Sequence, residues 1–500
     1  MSHKNCSRRK FLKISGISMA AFVLRGSTAS PADKPARRPN IIFIYTDDQA
    51  AWTPGYIGNK QARTPNIDRL AAQGVYLANS FVTTPVCSPS RAGLMTGRYA
   101  SELGVLDFIP HPGHKLYEPD KQIGLSPDTV TFAEVLAMQG YTNGLVGKWH
   151  LGDWTETSDK KYHPLNHGFD YFMGLTGGGI SPSDPILEEN SQVKQFKGLT
   201  TDILTDRALG FVEKHKDDTF MLCLNYRAPH KAWLPVADAD WAPYENMEME
   251  IPNPDYPDLN VRKVKTMMKE YLASIAGIDR NLGRLLKLLD EQNLSDNTVV
   301  IYSSDHGYNM GHNGIWHKGN GIWATHSVPA DTENIKGKYR PNLYDQSLRV
   351  PAIVRWPGIV KAGSVITETI SNLDWYPTLV SIANAKMPAG QTVRGRDFTP
   401  LLRGQKIDGW ENGLYAEYSM RNYCRTHLRA YRTPEWKLIR DFLNPQRDEL
   451  YCLKNDPAEN INLINSRNPN VRKVIKELDE KILENVKKTS PSLIEPYLKR

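Results

Sequence analysis

Asn40-Ile41-Ile42-Phe43-Ile44-Tyr45-Thr46-Asp47-Asp48 is a run of strand-forming residues that ends on two carboxylates. Thr298-Val299-Val300-Ile301-Tyr302-Ser303-Ser304-Asp305-His306 repeats the design in the second half of the chain. Neither run alternates apolar with polar residues, so each predicts a strand buried on both faces, as in a parallel sheet covered by helices. Val75–Val82, Thr142–Val146, Thr219–Asn225 and Pro351–Trp356 read the same way. Helical patterns alternate with them. The clearest places Met268, Leu272, Ile275, Ile278, Leu282, Leu285 and Leu289 at steps of three and four, an apolar stripe that belongs to the core. This alternation predicts an α/β fold with a central, mostly parallel sheet between helices.

Two stretches read as irregular: Trp154–Gln195, rich in Gly, Ser and Pro, and Trp241–Leu259, rich in Pro and acids. Loops of that length often bind ligands. After Leu401-Leu402-Arg403-Gly404 the pattern changes. Extended runs at Leu414–Ser419 and Trp436–Arg440 precede a charged helix near Val471–Val486, which predicts a small C-terminal α+β domain with an antiparallel sheet. The expected division is 1–32, 38–404 and 405–500.

The chain has 500 residues, 40% hydrophobic and 23% charged, as in a soluble globular protein of more than one core. Its net charge of +7 is concentrated at one end. Residues 1–30 hold six Lys and Arg and no acid, so the remaining 470 residues carry only +1. No global basic field supports nucleic-acid binding. Ser7-Arg8-Arg9-Lys10-Phe11-Leu12-Lys13 matches a twin-arginine export signal, followed by the short apolar run Ile14–Leu24 and the small residues 27–32. Eleven apolar residues are too few for a stable membrane span, so a cleaved signal and a periplasmic or extracellular bacterial destination are expected, without a stable membrane anchor. Five cysteines do not describe a disulfide framework. Cys223 lies in an apolar run and reads as a buried thiol, while Cys424 and Cys452 are left open as a pair.

In open α/β sheets, sites lie at the carboxyl ends of the strands. Asp47, Asp48 and Asp305 end two strands, and three neighbouring carboxylates repel one another unless a cation sits among them. Oxygen ligands favour a hard divalent ion, calcium first and magnesium second. Singly, such an Asp is as well explained as a helix cap. Cys87-Ser88-Pro89-Ser90-Arg91 follows another strand, with Ser88 and Pro89 expected as N-cap and first-turn residues. Residue 87 would then sit at a helix N-terminus, where anions are favoured, and Arg91 one turn on. Lys148 and His150 follow the strand Thr142–Val146, His230 follows Thr219–Asn225, and Lys318 lies a little beyond Asp305. Singly these are ordinary surface lysines and hydrogen-bonded histidines; their shared address at strand ends makes them candidates.

From about Pro39 to near Leu478 the chain resembles the type I sulfatases of the alkaline-phosphatase-like superfamily. The resemblance rests on Cys87-Ser88-Pro89-Ser90-Arg91, Thr64-Pro65-Asn66-Ile67-Asp68-Arg69-Leu70-Ala71, Leu94-Met95-Thr96-Gly97-Arg98 and Glu449-Leu450-Tyr451 with Asn455-Asp456-Pro457-Ala458-Glu459. It implies that Cys87 is oxidised to formylglycine by a formylglycine-generating enzyme before the twin-arginine translocase exports the folded chain. It implies further that Asp47, Asp48, Asp305, His306 and the modified residue 87 bind one calcium ion, with magnesium as the alternative. Arg91, Lys148, His150, His230 and Lys318 would surround the sulfate and move protons, and His230 or Lys318 would protonate the departing alcohol. The implied activity is sulfuric ester hydrolysis on a sulfated carbohydrate; Trp52, Trp233, Trp316 and Trp323 could stack on sugar rings, although each singly reads better as a packing residue. The competing readings are a phosphomonoester or phosphonate hydrolase of the same superfamily and a non-catalytic carbohydrate-binding paralogue.

Overall fold

The computed structural model describes residues 38–498 except 112–113, 119–122, 153–159, 176, 190 and 330–331. The export signal read at 1–32 lies outside them. In chain order the first strands are β1 (Asn40–Thr46), β2 (Val75–Phe81), β3 (Thr142–Lys148), β4 (Tyr171–Leu175), β5 (Ile186–Glu189), β6 (Gln192–Gln195), β7 (Phe220–Asn225) and β8 (Thr298–Ser304). Then come four short strands, β9 (Asn309–Met310), β10 (Ile315–His317), β11 (Asn320–Trp323) and β12 (Tyr339–Pro341). After them come β13 (Ala352–Arg355) and β14 (Ser364–Ser371), and four more form the C-terminal sheet: β15 (Leu414–Tyr418), β16 (Leu428–Arg432), β17 (Trp436–Asp441) and β18 (Glu449–Cys452).

The main sheet has ten strands in the order β14-β2-β13-β8-β1-β7-β3-β4-β5-β6. Its five central strands, β8-β1-β7-β3-β4, are parallel. Odd and even residues of β1 feed two different cores. Ile42 and Ile44 join the cluster under helix Val261–Glu291; Ile41, Phe43 and Tyr45 join the one on the other face. That double burial is why both decisive runs lack polar alternation. The expected mostly parallel α/β sheet is therefore present. Strand β13 is antiparallel to both neighbours, because the excursion from 305 to 351 returns the chain to the same end of the sheet that β8 leaves.

Parts of the stretch read as irregular at Trp154–Gln195 are strands: β4 joins the parallel block, and β5 and β6 form an antiparallel hairpin at its edge. Gly and Pro in that stretch shorten these strands rather than abolish them. The C-terminal sheet, β15-β16-β17-β18, is antiparallel throughout, with helix Pro469–Thr489 packed against it. Only two of its four strands announce themselves, since Leu428-Arg429-Ala430-Tyr431-Arg432 hides a buried, paired strand behind two arginines. Cys87, Cys223, Cys424 and Cys452 are all free thiols, and Cys223 is buried as expected.

Candidate active site

Register places the acids. Thr46 of β1 stands opposite Ser304 of β8, so the chain leaves both strands at one level, with Asp305 N donating to Thr46 O (3.0 Å). Asp48 N in turn donates to Asp305 Oδ1 (3.1 Å). On the other side of β1, Tyr45 pairs with Asn225 of β7, and Gly147 of β3 pairs with the same residue, which brings Lys148 to the same sheet end. A side chain at Gly147 would put its Cβ 1.9 Å from Asn225 O. The neighbourhood stores backbone strain as well. Asp48 (φ 71°), His150 (φ 58°) and His317 (φ 87°) all occupy the left-handed region, which is uncommon for residues with side chains and clusters at functional sites.

Helix α2 (Cys87–Thr96) begins on the cysteine itself. Val86 is its N-cap and supplies no side-chain cap. Ser88, expected to cap, instead accepts a hydrogen bond from Ile109 N (3.1 Å) and ties down the neighbouring loop. A helix started by an apolar cap leaves its positive end available to whatever residue 87 faces. Cys87 Sγ lies 2.9 Å from Lys318 Nζ, 3.4 Å from His306 Nε2 and 3.5 Å from Asp47 Oδ1.

Around it the charges are paired. Lys148 Nζ donates to Asp47 Oδ2 (2.6 Å) and to Gly178 O (2.8 Å). Lys318 Nζ donates to Asp48 Oδ1 (2.6 Å). Arg91 grips Asp305 Oδ2 through Nε and Nη2 (3.0 and 2.9 Å) and donates from Nη1 to Lys148 O (2.9 Å). All these side chains are buried, so none is the solvated surface group that a lone Lys or Arg usually is. Against the cost of its burial, Lys148 and the cations beyond it hold Asp47 well below the carboxylate range. Burial pushes Asp48 up, with Lys318 opposing it and Asp47 adding to it. Burial drives His150 and His230 well below their ordinary values, so both imidazoles are neutral near pH 7.

Ligand atoms of Asp47, Asp48, Cys87 and His306 all lie within 4.8 Å of one another. The donor set fits a hard divalent cation on two observations. Asp48 Oδ2 is buried with no hydrogen-bond partner. His306 Nδ1 lies 3.0 Å from Gly307 O and donates there, which turns the lone pair of Nε2 toward Asp48 Oδ1 and Asp305 Oδ1, each 3.2 Å away. Lone pairs that face one another across such distances are reconciled by a cation. Asp305 stands at the edge of this group, one oxygen committed to Arg91 and the other facing His306.

The ten residues singled out at the strand ends thus come together, with His150 and His230 further out. His150 Nε2 bonds Ile109 O (2.9 Å), and His230 Nδ1 bonds Lys231 O (2.7 Å). Both line a cavity of about 350 Å³ with Cys87 and Lys318 at its base. Its wall includes residues not foreseen: Phe108, His111, His114, Gly178, Asn320 and the tyrosines 339 and 423. Of these only Gly177-Gly178-Gly179 carried a readable signal, a run of small residues; a Cβ at Gly178 would meet His150 Cε1 at 2.8 Å. The four tryptophans considered for sugar stacking do not line the cavity. Trp233 and Trp316 are buried, Trp52 donates to Tyr308 O and packs on Tyr271, and Trp323 packs on the core beside the C-terminal sheet. The stacked ring pair beside the cavity is Tyr339 and Tyr423, with centroids 4.8 Å apart and planes within 4°.

A buried cysteine at a helix start, three buried cations and an acid cluster thus meet at one end of one parallel sheet. The sulfatase family model matches residues 39–385, and the model of the N-sulphoglucosamine sulphohydrolase C-terminal region matches 339–488. The chain belongs to the sulfatase family, and it is an enzyme that hydrolyses sulfuric esters. Human steryl-sulfatase is 29% identical over 476 residues, covering 79% of this chain and 74% of that protein. The N-acetylglucosamine-6-O-sulfatase of Bacteroides thetaiotaomicron is 26% identical over 530 residues (89% and 86%), and the ulvan-active sulfatase of Formosa agariphila 28% over 489 (94% and 87%). Among solved structures, a complex with the substrate D-glucosamine-2-N,6-O-disulfate aligns at a TM-score of 0.76 and 25% identity, over 92% of this chain and 99% of that one. A second, bound to a neocarrahexaose, aligns at 0.70 and 27%, over 91% and 94%.

Proposed function

We propose that this chain releases inorganic sulfate from a sulfated carbohydrate, with residue 87 converted to formylglycine and one calcium ion held by Asp47, Asp48, Asp305, His306 and residue 87. The observation that carries this reading is the convergence of the four ligand atoms within 4.8 Å at the base of the cavity, on the side chain that begins α2. When bound, the ion held by these residues would supply Lewis-acid charge, and residue 87 as formylglycine would supply a nucleophile. The chain's own groups do the rest. Lys148 and Lys318 offer buried ammonium donors to sulfate oxygens, where a low dielectric strengthens them. Arg91 fixes Asp305 and the Lys148 carbonyl, holding two cradle elements in one geometry. Lys318, or His230 once it has taken up a proton beside the bound anion, delivers the proton to the leaving alkoxide, since both line the cavity beside residue 87. His150 orders the loop at Ile109 and bounds the sulfate pocket.

The carbohydrate reading is supported by the polysaccharide and amino-sugar relatives and by the sugar-bound neighbours. Among the described residues no helix is long and apolar enough to cross a membrane. In this reading residues 1–32 are the export signal, 38–404 the catalytic part and 405–500 a domain that lends Tyr423 to the cavity wall. Modification by a formylglycine-generating enzyme and passage through the twin-arginine translocase to the periplasm or beyond would precede action. The test is sulfate release from a panel of defined sulfated saccharides, run beside their phosphate analogues, with mass spectrometry of the peptide holding residue 87. Release from at least one saccharide together with an aldehyde at 87 is expected. Faster phosphate turnover, or an unmodified thiol in fully active enzyme, would overturn it.

A further inference from the structure

The cavity wall holds basic side chains and, among the described residues, no carboxylate. Among its described lining residues are five histidines and two lysines and no Asp or Glu. A single sulfate monoester needs little of this beyond the base, where Lys318 already stands with Lys148 buried behind it.

Past the base, three lysines from three separate segments lie over two aromatic rings, two of them over the same one. Lys231, next to the cavity-lining His230, holds its Nζ 4.5 Å from the centroid of the Trp316 ring. Lys263, at the start of helix Val261–Glu291, approaches the same ring at 5.7 Å. Lys338, which lines the cavity, rests on the Tyr339 ring at 5.6 Å. Burial lowers Lys263, and the two further causes are Lys231 and Lys338, so the three ammonium groups feel one another. Among the described residues none of the three forms an ion pair. Glu270, on the same helix as Lys263, feels Lys231 without pairing with it. Some exposed lysines elsewhere are paired, as in Lys194–Glu189, Lys454–Glu435 and Lys488–Glu484; Lys231, Lys263 and Lys338 are instead brought together without a carboxylate. Like charges held together over aromatic faces with no counter-ion are destabilising unless an anion joins them.

We propose that Lys231, Lys263 and Lys338 form a second anion subsite, so that the preferred substrate carries, besides the sulfate ester that is cleaved, another sulfate or a carboxylate. This rests on the sulfatase reading of the site and narrows its substrate class to polyanionic glycans. Two of the lysines are anchored over the buried Trp316, so they present the charge from a rigid face. The remainder of the chain beyond residue 30 carries only +1, which makes the cluster a local device rather than part of a general basic surface.

The test separates binding from turnover. Binding is measured calorimetrically on full-length Cys87→Ala protein, with calcium present and at low salt. The probes are N-acetylglucosamine 6-sulfate with one anionic group, glucosamine 2-N,6-O-disulfate with two sulfates, and a monosulfated uronate disaccharide with a sulfate and a carboxylate. At least one two-anion probe should bind about tenfold more tightly than the first, and which one does identifies the second group. Lys231→Gln, Lys263→Gln and Lys338→Gln, singly and together, should each cut that preference, and the triple variant should abolish it. No preference in the parent, or a preference that survives the triple variant, overturns the subsite. Sulfate release by the parent enzyme from the same probes is scored separately, so a failure there counts against the sulfatase chemistry and not against the subsite.

Discussion

Two helices begin beside the main sheet with stretches that resemble the family's motifs, and they use them for opposite ends. Helix α1 (Pro65–Gln73) starts within Thr64-Pro65-Asn66-Ile67-Asp68. There Asp279, from helix Val261–Glu291, accepts hydrogen bonds from Asn66 N (2.9 Å), Ile67 N (2.7 Å) and Asn66 Nδ2 (2.9 Å). Asp68 accepts from Tyr56 N (2.9 Å) and from Thr64 Oγ1 (3.0 Å). The first turn is satisfied from within the protein. Helix α2 starts on Cys87 behind Val86, with no side-chain cap, and turns its first residue into the acid and lysine cluster. A helix start that the protein completes is scaffold; one that it leaves to residue 87 is, on the proposed reading, where the sulfate is handled.

The largest effect that could break this contrast lies at residue 87. Cys87→Ala should lower sulfate release by about 10³-fold or more, as removal of a nucleophile does. The unfolding midpoint should move little, because the side chain is small. Substantial residual turnover would return the start of α2 to the same structural class as that of α1. Chelation comes next. Removing a divalent ion should abolish turnover and also lower stability, by about 4 kcal/mol if the ion is normally present at 1,000 times its dissociation constant. Thermal unfolding with and without chelator, followed by readdition of calcium or magnesium, reads both effects. Indifference to chelator would remove the metal from the acid cluster.

Asp279→Ala tests the other side of the comparison. It strips two backbone N–H groups and one amide of their acceptor, which should cost about 3 kcal/mol of stability. Activity per folded molecule should stay near that of the parent, since Asp279 touches no residue of the cavity. Denaturant unfolding beside a turnover assay corrected for folded fraction checks it. Loss of turnover in fully folded protein would mean that the start of α1 belongs to the site after all.

What the sequence revealed follows the same division. Strand ends were legible because a run such as Asn40–Thr46, buried on both faces, has to stop where polar residues begin, and parallel register then brings every such stop to one edge. Asp47, Asp48, Lys148 and Asp305 were therefore within reach from the sequence, whereas Lys318 follows β10 of the short antiparallel sheet and rested on the family resemblance. The cavity wall was not. Tyr423 arrives from the segment between β15 and β16, which Asp107 holds in place by accepting from Arg421 N (2.8 Å), Asn422 N (2.9 Å) and Tyr418 Oη (3.1 Å). Nothing in the spacing of Asp107 and Tyr423, more than 300 residues apart, announces that contact. The tryptophans kept to the plainer of their two readings: Trp233 and Trp316 are spent on packing.

The smallest expected effect concerns a buried titratable group with no place in the site. His427 is buried in the C-terminal sheet region, its Nδ1 2.9 Å from Ser419 Oγ. Burial, with Arg429, Arg421 and Arg425 adding to it, lowers it to about 4. The folded state therefore binds fewer protons than the unfolded chain, in which a histidine titrates near 6.5. The stability this supplies is complete above about pH 6.5 and is lost as the pH falls toward 4. Between pH 7 and pH 5 the loss should be about 2 kcal/mol from this residue. His427→Asn removes the titration while keeping a polar side chain beside Ser419, so the difference in unfolding free energy between the two pH values should shrink by that amount. Turnover at pH 7 should be unaffected, because the group lies outside the cavity. A variant that kept the full acid sensitivity would assign the loss to other histidines. One that lost turnover instead would extend the working site into the C-terminal sheet and blur the line that the two helix starts draw.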